Sequence, residues 1–186
     1  MLQSRIIIPI LLIYAIVTYI VFRNKNIPRI RYLYYLCLAI YLSAVIAVTL
    51  FPIPIDKRLI EHNIARNYAR TYNLIPFKSI IGLISTSSAM IALKNIGGNI
   101  LLLMPLGFGV PIIWKKYNYL KKSIIIGILA TVSIELIQLL MSIPIGYQYK
   151  IFDIDDIILN TIGFTIGFII YKLMFKLRYK ININIW

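Results

Sequence analysis

Three of the six acidic residues in this chain, Asp153, Asp155 and Asp156, fall in one short run, Phe152-Asp153-Ile154-Asp155-Asp156. A membrane-grade apolar segment begins directly after it. Carboxylates at the mouth of a bilayer are costly unless something pairs with them, which marks the run as a candidate site. Their oxygens suit a hard divalent cation such as Mg²⁺ or Ca²⁺. On a continuous helix, Asp153, Asp156, Asn160, Gly163 and Gly167 fall at i, i+3, i+7, i+10 and i+14 and share one face. Asp155 then points elsewhere, toward a neighbouring segment or solvent. The two glycines form a small-residue stripe that lets another helix approach closely. An acidic helix N-terminus favoured by the helix dipole explains one or two of the aspartates, but three with an in-line Asn less well.

Glu135 is the second candidate, because it is the only charge in its apolar block. A carboxylate at that depth costs about 2.5 kcal/mol or more even on lenient insertion scales. Gln138 follows at i+3 on the same helical face. The pair reads equally as interhelical hydrogen-bonding glue or as an acid/base site. A third group is Asn95-Ile96-Gly97-Gly98-Asn99, followed by Pro105. Asn95 and Asn99 align at i, i+4, and Pro105 frees a carbonyl and predicts a kinked or broken helix able to line a cavity. His62 reads as a solvated loop residue, and Cys37, alone in an apolar block, as packing. With one cysteine there is no disulfide framework and no cysteine-based metal site.

The elements that must carry these residues are membrane helices. The chain has 186 residues, 60% of them hydrophobic, and a mean hydropathy of +0.84. The apolar residues gather in uncharged blocks between charged punctuation, the pattern of an all-α, polytopic membrane protein with one domain over 1–186. Five crossings are predicted: Ile6 to Phe22, Tyr32 to Phe51, Asn95 to Trp114, Ser123 to Ile143 and Ile157 to Phe175. The first reads as a retained anchor, since bulky Phe22 and then Arg23 stand where a signal peptide needs small residues. Prolines at 52 and 54 stop the second. Residues 79–93 are apolar but short and diluted by Ser85-Thr86-Ser87-Ser88, which predicts a re-entrant or interfacial helix.

The net charge of +14 does not point to nucleic acid, because the basic residues flank the apolar blocks as topology determinants do. Three linkers on one side carry Arg23, Lys25, Arg29, Arg31, Lys115, Lys116, Lys121, Lys122, Lys172, Lys176, Arg178 and Lys180, with no acid among them. The other side carries Asp56, Glu61 and the aspartate run. The positive-inside bias therefore places the N-terminus outside and the C-terminus in the cytoplasm. Tyr32, Tyr34, Tyr35, Trp114, Tyr117 and Tyr119 stand at segment ends, as interface aromatics do. HExxH, GxSxG and CxxC motifs are absent, so zinc-protease and esterase chemistry lack support.

Four blocks in order resemble the VanZ family: Asn73-Leu74-Ile75-Pro76-Phe77; Asn95-Ile96-Gly97-Gly98-Asn99 running on through Pro105-Leu106-Gly107-Phe108; Ser133-Ile134-Glu135 with Gln138; and Phe152-Asp153-Ile154-Asp155-Asp156 with Asn160 and Gly163. The resemblance covers about residues 40–175. It implies a small integral membrane protein of Gram-positive bacteria and their relatives, in a family whose founding member is associated with teicoplanin resistance. One departure stands out. Lys150 occupies a position where the family usually has Arg, keeping the charge and losing the bidentate fork.

Two functions follow as expectations. In the first, Asn95, Asn99, Gln138, Lys150 and Asn160, with Glu135, line an outward-facing polar pocket. That pocket would bind a lipid-linked envelope intermediate or the acyl tail of a lipoglycopeptide, giving glycopeptide tolerance. In the second, Asp153, Asp155 and Asp156 hold a divalent cation, Lys150 holds a phosphate, and Glu135, Asp153 and Asp156 carry out catalysis on a lipid-linked substrate.

Overall fold

The computed structural model of the protein describes residues 3–24, 28–65 and 72–180. Its helices are α1 (Ile7–Asn24), α2 (Arg29–Leu50), α3 (Lys57–Ala65), α4 (Lys78–Thr86), α5 (Ala89–Ile113), α6 (Leu120–Ile145) and α7 (Ile154–Lys180). Five of them are long and apolar enough to cross a membrane: α1, α2, α5, α6 and α7. The all-α membrane architecture expected from the hydropathy blocks is therefore present.

Several boundaries differ from those expectations, each for a local reason. The stretch 79–93 is not one element. Its first part is the nine-residue α4, too short at about 1.5 Å per residue to cross a bilayer. Its second part belongs to α5. The break falls at Ser87-Ser88, where the Ser88 hydroxyl caps α5 by accepting the Ile91 N–H at 3.4 Å. Ser85 and Thr86 turn their hydroxyls back onto the carbonyls of Ile81 and Gly82 at 2.8 and 2.7 Å, the competition that ends helices at such residues. Helix α5 also runs unbroken through Pro105 and Pro111 rather than splitting at the first. The polar loop after Pro54 contains a helix the hydropathy pattern does not reveal, α3, started by Asp56, whose side chain accepts the Arg58 N–H at 3.0 Å. His62 lies exposed on it. Cys37 is exposed as well, on α2, rather than in packing.

The chain divides into two compact units. The first, Met1–Ala69 with Met141–Tyr149, contains the α1–α2 hairpin. That hairpin is joined by edge-on aromatic contacts of Tyr32 with Tyr19 and Phe22, and by the Tyr32 hydroxyl on the Ala15 carbonyl. In the same unit the Tyr149 hydroxyl donates to the Leu50 carbonyl at 3.2 Å. Burial pushes its pKa up, so it stays a donor. A cleft of about 430 Å³ is lined by Pro54, Ile55, Lys57, Ile60, Glu61, Pro144 and Ile145, none of them a sequence-predicted site residue.

The second unit, Arg70–Leu140 with Lys150–Trp186, holds the packed core, and glycines decide its geometry. A Cβ at Gly163 would overlap the Ile100 carbonyl, one at Gly167 the Met104 carbonyl, and one at Gly107 the Phe164 carbonyl. Helices α5 and α7 therefore meet backbone to backbone, as the small-residue stripe predicts. Phe164, fully buried, lies against Gly127 of α6 with its ring 3.0 Å from where a Cβ would stand. Lys172 reaches the Asn118 carbonyl at 2.8 Å, bending its charge to the segment end.

Candidate functional site

The site is built where two distant sequence blocks pair. Tyr72–Asn73 and Phe152–Asp153 form a minimal parallel ladder, Tyr72 opposite Phe152 and Asn73 opposite Asp153. Asn73 then makes a local turn, its Oδ1 accepting the Ile75 N–H at 3.2 Å. The chain reverses over Ile75-Pro76-Phe77-Lys78, with Lys78 N–H on the Ile75 carbonyl at 3.3 Å. Pro76 supplies the fixed φ of the turn's second position. Phe77 takes the third at φ 66°, ψ 0°, a left-handed conformation unusual for a bulky residue and sustained only when surroundings enforce it.

Asp155 supplies that enforcement. It is 1% exposed. Its Oδ1 accepts the Phe77 N–H at 2.5 Å, and its Oδ2 accepts the N–H groups of Ser79 and Ile80 at 2.8 and 3.1 Å. These are the unsatisfied donors at the start of α4, so a carboxylate from α7 caps another helix. Asp155 does point toward a neighbouring segment, and both its oxygens are used there.

Asp153 precedes α7 instead of lying on it, so it is not part of the helical face drawn from spacing. Its Oδ1 caps α7 by accepting the Asp155 N–H at 2.9 Å and also accepts the Asn73 Nδ2 at 2.7 Å. Asn73 Nδ2 reaches the Ser79 hydroxyl at 2.9 Å as well. The Asp153 N–H donates to Glu135 Oε2 at 3.2 Å, which brings α6 into the network. Glu135 is 2% exposed. Helix α6 continues beyond it through 136–145, about 15 Å of helix. The carboxylates thus meet well inside the span of α6, not at its end.

Asp156 occupies the first turn of α7, and its Oδ1 accepts Asn99 Nδ2 from α5 at 2.6 Å. Lys150 is half-buried and close enough to act electrostatically on both Glu135 and Asp156, and Asp153 acts on both as well. The structure therefore gathers Glu135, Asp153, Asp156, Asn99 and Lys150. Gln138 is half-buried one turn beyond Glu135. Asn160, 2% exposed, lies one turn below Asp156, and its Oδ1 has no hydrogen-bond partner.

Two expected groupings look different in the structure. Asn95 is exposed and donates to the Ile91 carbonyl of its own helix at 2.9 Å, apart from the network that Asn99 joins. The Asp153, Asp155 and Asp156 cradle for Mg²⁺ or Ca²⁺ does not assemble. Among the described residues no group of three or more His, Cys, Asp or Glu side chains could hold a metal ion. Asp155 instead turns both its oxygens to three backbone donors at the start of α4. Asn73, Ser79 and the Phe77 turn, by contrast, are site-building residues that composition alone leaves without a role. The signal for them was the Asn followed by Pro at the second position of a turn.

A family model described as VanZ/LLP1 matches residues 38–175. The chain belongs to the VanZ/LLP1 family. No curated protein and no solved structure matches it. The family region begins within α2 and runs to the end of the α7 span, so every residue of the network lies inside it and α1 lies outside. For a VanZ/LLP1 protein, the four sequence blocks thus have a common spatial meaning. The Asn73 block and the aspartate block form the ladder and the capped turn. The Asn99 and Glu135 blocks bring α5 and α6 to that same point.

Proposed function

We propose that this protein binds a lipid-linked or lipophilic envelope substrate at the Glu135–Asp153–Asp156–Asn99 network, and that this binding raises tolerance to a glycopeptide such as teicoplanin. The observation that carries the reading is the convergence of carboxylates and amides from α5, α6 and α7 on one recessed point with Lys150 beside it. Such a group of donors and acceptors matches a polar headgroup, while the surrounding spans match its lipid tail. The exposed apolar tip formed by Leu74, Ile75 and Phe77 extends the same amphipathic character. The site opens to the cell exterior in this reading, with the N-terminus outside and the C-terminus in the cytoplasm. In intact cells a membrane-impermeant thiol reagent then labels Arg58→Cys and spares Tyr119→Cys in a Cys37→Ser background. The reverse pattern inverts the orientation.

The functional test is the teicoplanin tolerance of cells carrying Glu135→Gln or Asp156→Asn, with membrane abundance matched to wild type. Loss of tolerance with either substitution is the expected result. Full tolerance with both would remove the polar network from the function.

A further inference from the structure

The network has an oxygen it does not use. Asn160 is 2% exposed and its Oδ1 meets no donor. Buried acceptors are almost always satisfied, so an orphan of this kind points to a water or an ion. Asn160 stands four residues after Asp156 in α7, on the same helical face. Side chains on a helix lean toward its N-terminus, which aims the Asn160 amide at the turn holding Asp156. Around that turn stand Glu135 from α6, Asn99 from α5, Asp153 just before α7 and Asp155 in its first turn, with Lys150 the one cation acting on Glu135 and Asp156 among the described residues.

The partner of Asn160 Oδ1 must fit within the single helical turn that separates it from Asp156. A bare cation or a water is small enough, and an excess of carboxylates favours the cation. Sodium accepts a mixed set of amide, carboxylate and backbone oxygens and does not need the three-carboxylate cradle that is missing here. Ion sites lined by mixed oxygens inside the bundle recur where membrane proteins couple a cation to a substrate.

We propose that Asp156 and the Asn160 amide oxygen form a binding site for a small monovalent cation, sodium by size, in the first turns of α7. The inference goes beyond the substrate reading. It is tested without any envelope substrate, so its failure would leave the tolerance results untouched.

The experiment measures the thermal transition of the purified full-length protein in sodium, potassium, magnesium and choline chloride at equal ionic strength. Wild type is expected to gain several degrees in sodium at a concentration about 100-fold above its dissociation constant, and not in choline. The gain should vanish in Asp156→Asn and in Asn160→Leu, and persist in Ser123→Ala, which removes a buried polar group elsewhere, on α6. Where Asn160→Leu does not fold, Asn160→Asp keeps the shape and adds an anionic oxygen. It must then shift the sodium midpoint at least several-fold. No sodium-specific gain in wild type overturns the site and leaves a buried water as the partner of Asn160. A response to magnesium alone overturns it in favour of a divalent ion. An unchanged sodium midpoint in the Asn160 variants overturns the assignment of that residue.

Discussion

The α1–α2 hairpin and the α5–α7 pair are both apolar, yet they are held together in different ways. None of the α1 span is buried within the molecule, whereas 39% of the α7 span is. Ile8, Ile10, Leu12, Ile13 and Ile16 of α1 all turn outward, as lipid-facing residues do. The hairpin rests on a few aromatic edges at one end. In α5–α7 the glycines bring two backbones into contact, and the acidic turn of α7 sits directly above that contact. In a membrane, apolar character alone does not drive helices together, because lipid is as apolar as leucine. What separates the two regions is close backbone packing and buried polar partners, and only the second region has both.

Gly163→Val gives the largest expected effect. The added side chain would meet the Ile100 backbone, which cannot swing aside, so α5 and α7 must part. Little or no correctly folded protein should reach the membrane fraction. Asp155→Asn comes next. The amide keeps the shape but replaces one acceptor oxygen with a donor facing backbone N–H groups. A loss on the order of 3 kcal/mol follows, read as a fall of about 6–12 °C in the thermal transition. Proteolysis between Asn73 and Ile81 should speed up in the same variant, since the strained Phe77 turn loses its clamp. Leu12→Ala is the smallest change, within about 1–2 °C of wild type, because it alters only lipid-facing surface. A large destabilisation by Leu12→Ala would erase the contrast between the two regions.

The spans, the small-residue stripe and the importance of the aspartate run were legible in the sequence, because hydropathy and 3.6-residue periodicity record which helix faces meet. The separate roles of the aspartates were not. Spacing placed Asp153 on the α7 face, but it caps the helix from outside, a difference of one residue at a helix start. Spacing set Asp155 apart from that face, while its carboxylate chemistry grouped it with a metal site. Its real partners are the N–H groups of Phe77, Ser79 and Ile80, which lie more than seventy residues away in the chain and carry no side-chain signature. Asn95 looked equivalent to Asn99 on the same helical face. Only Asn99 has Asp156 within reach, because that end of α5 meets α7. Helix α3 was hidden by its polar composition, although Asp56 two residues before Arg58 is a recognisable cap.

The account stands on polar residues from three spans acting as one binding site. The most direct measurement is the saturable binding of a lipid-linked cell-wall precursor, or of teicoplanin, to the purified protein in nanodiscs, compared among wild type, Glu135→Gln and Asp156→Asn. The account predicts a defined dissociation constant for wild type for at least one of the two ligands, weakened at least about tenfold in each variant, roughly 1.4 kcal/mol, with the thermal transition preserved. Equal affinity in all three proteins, or no saturable binding of either ligand to wild type, would contradict it.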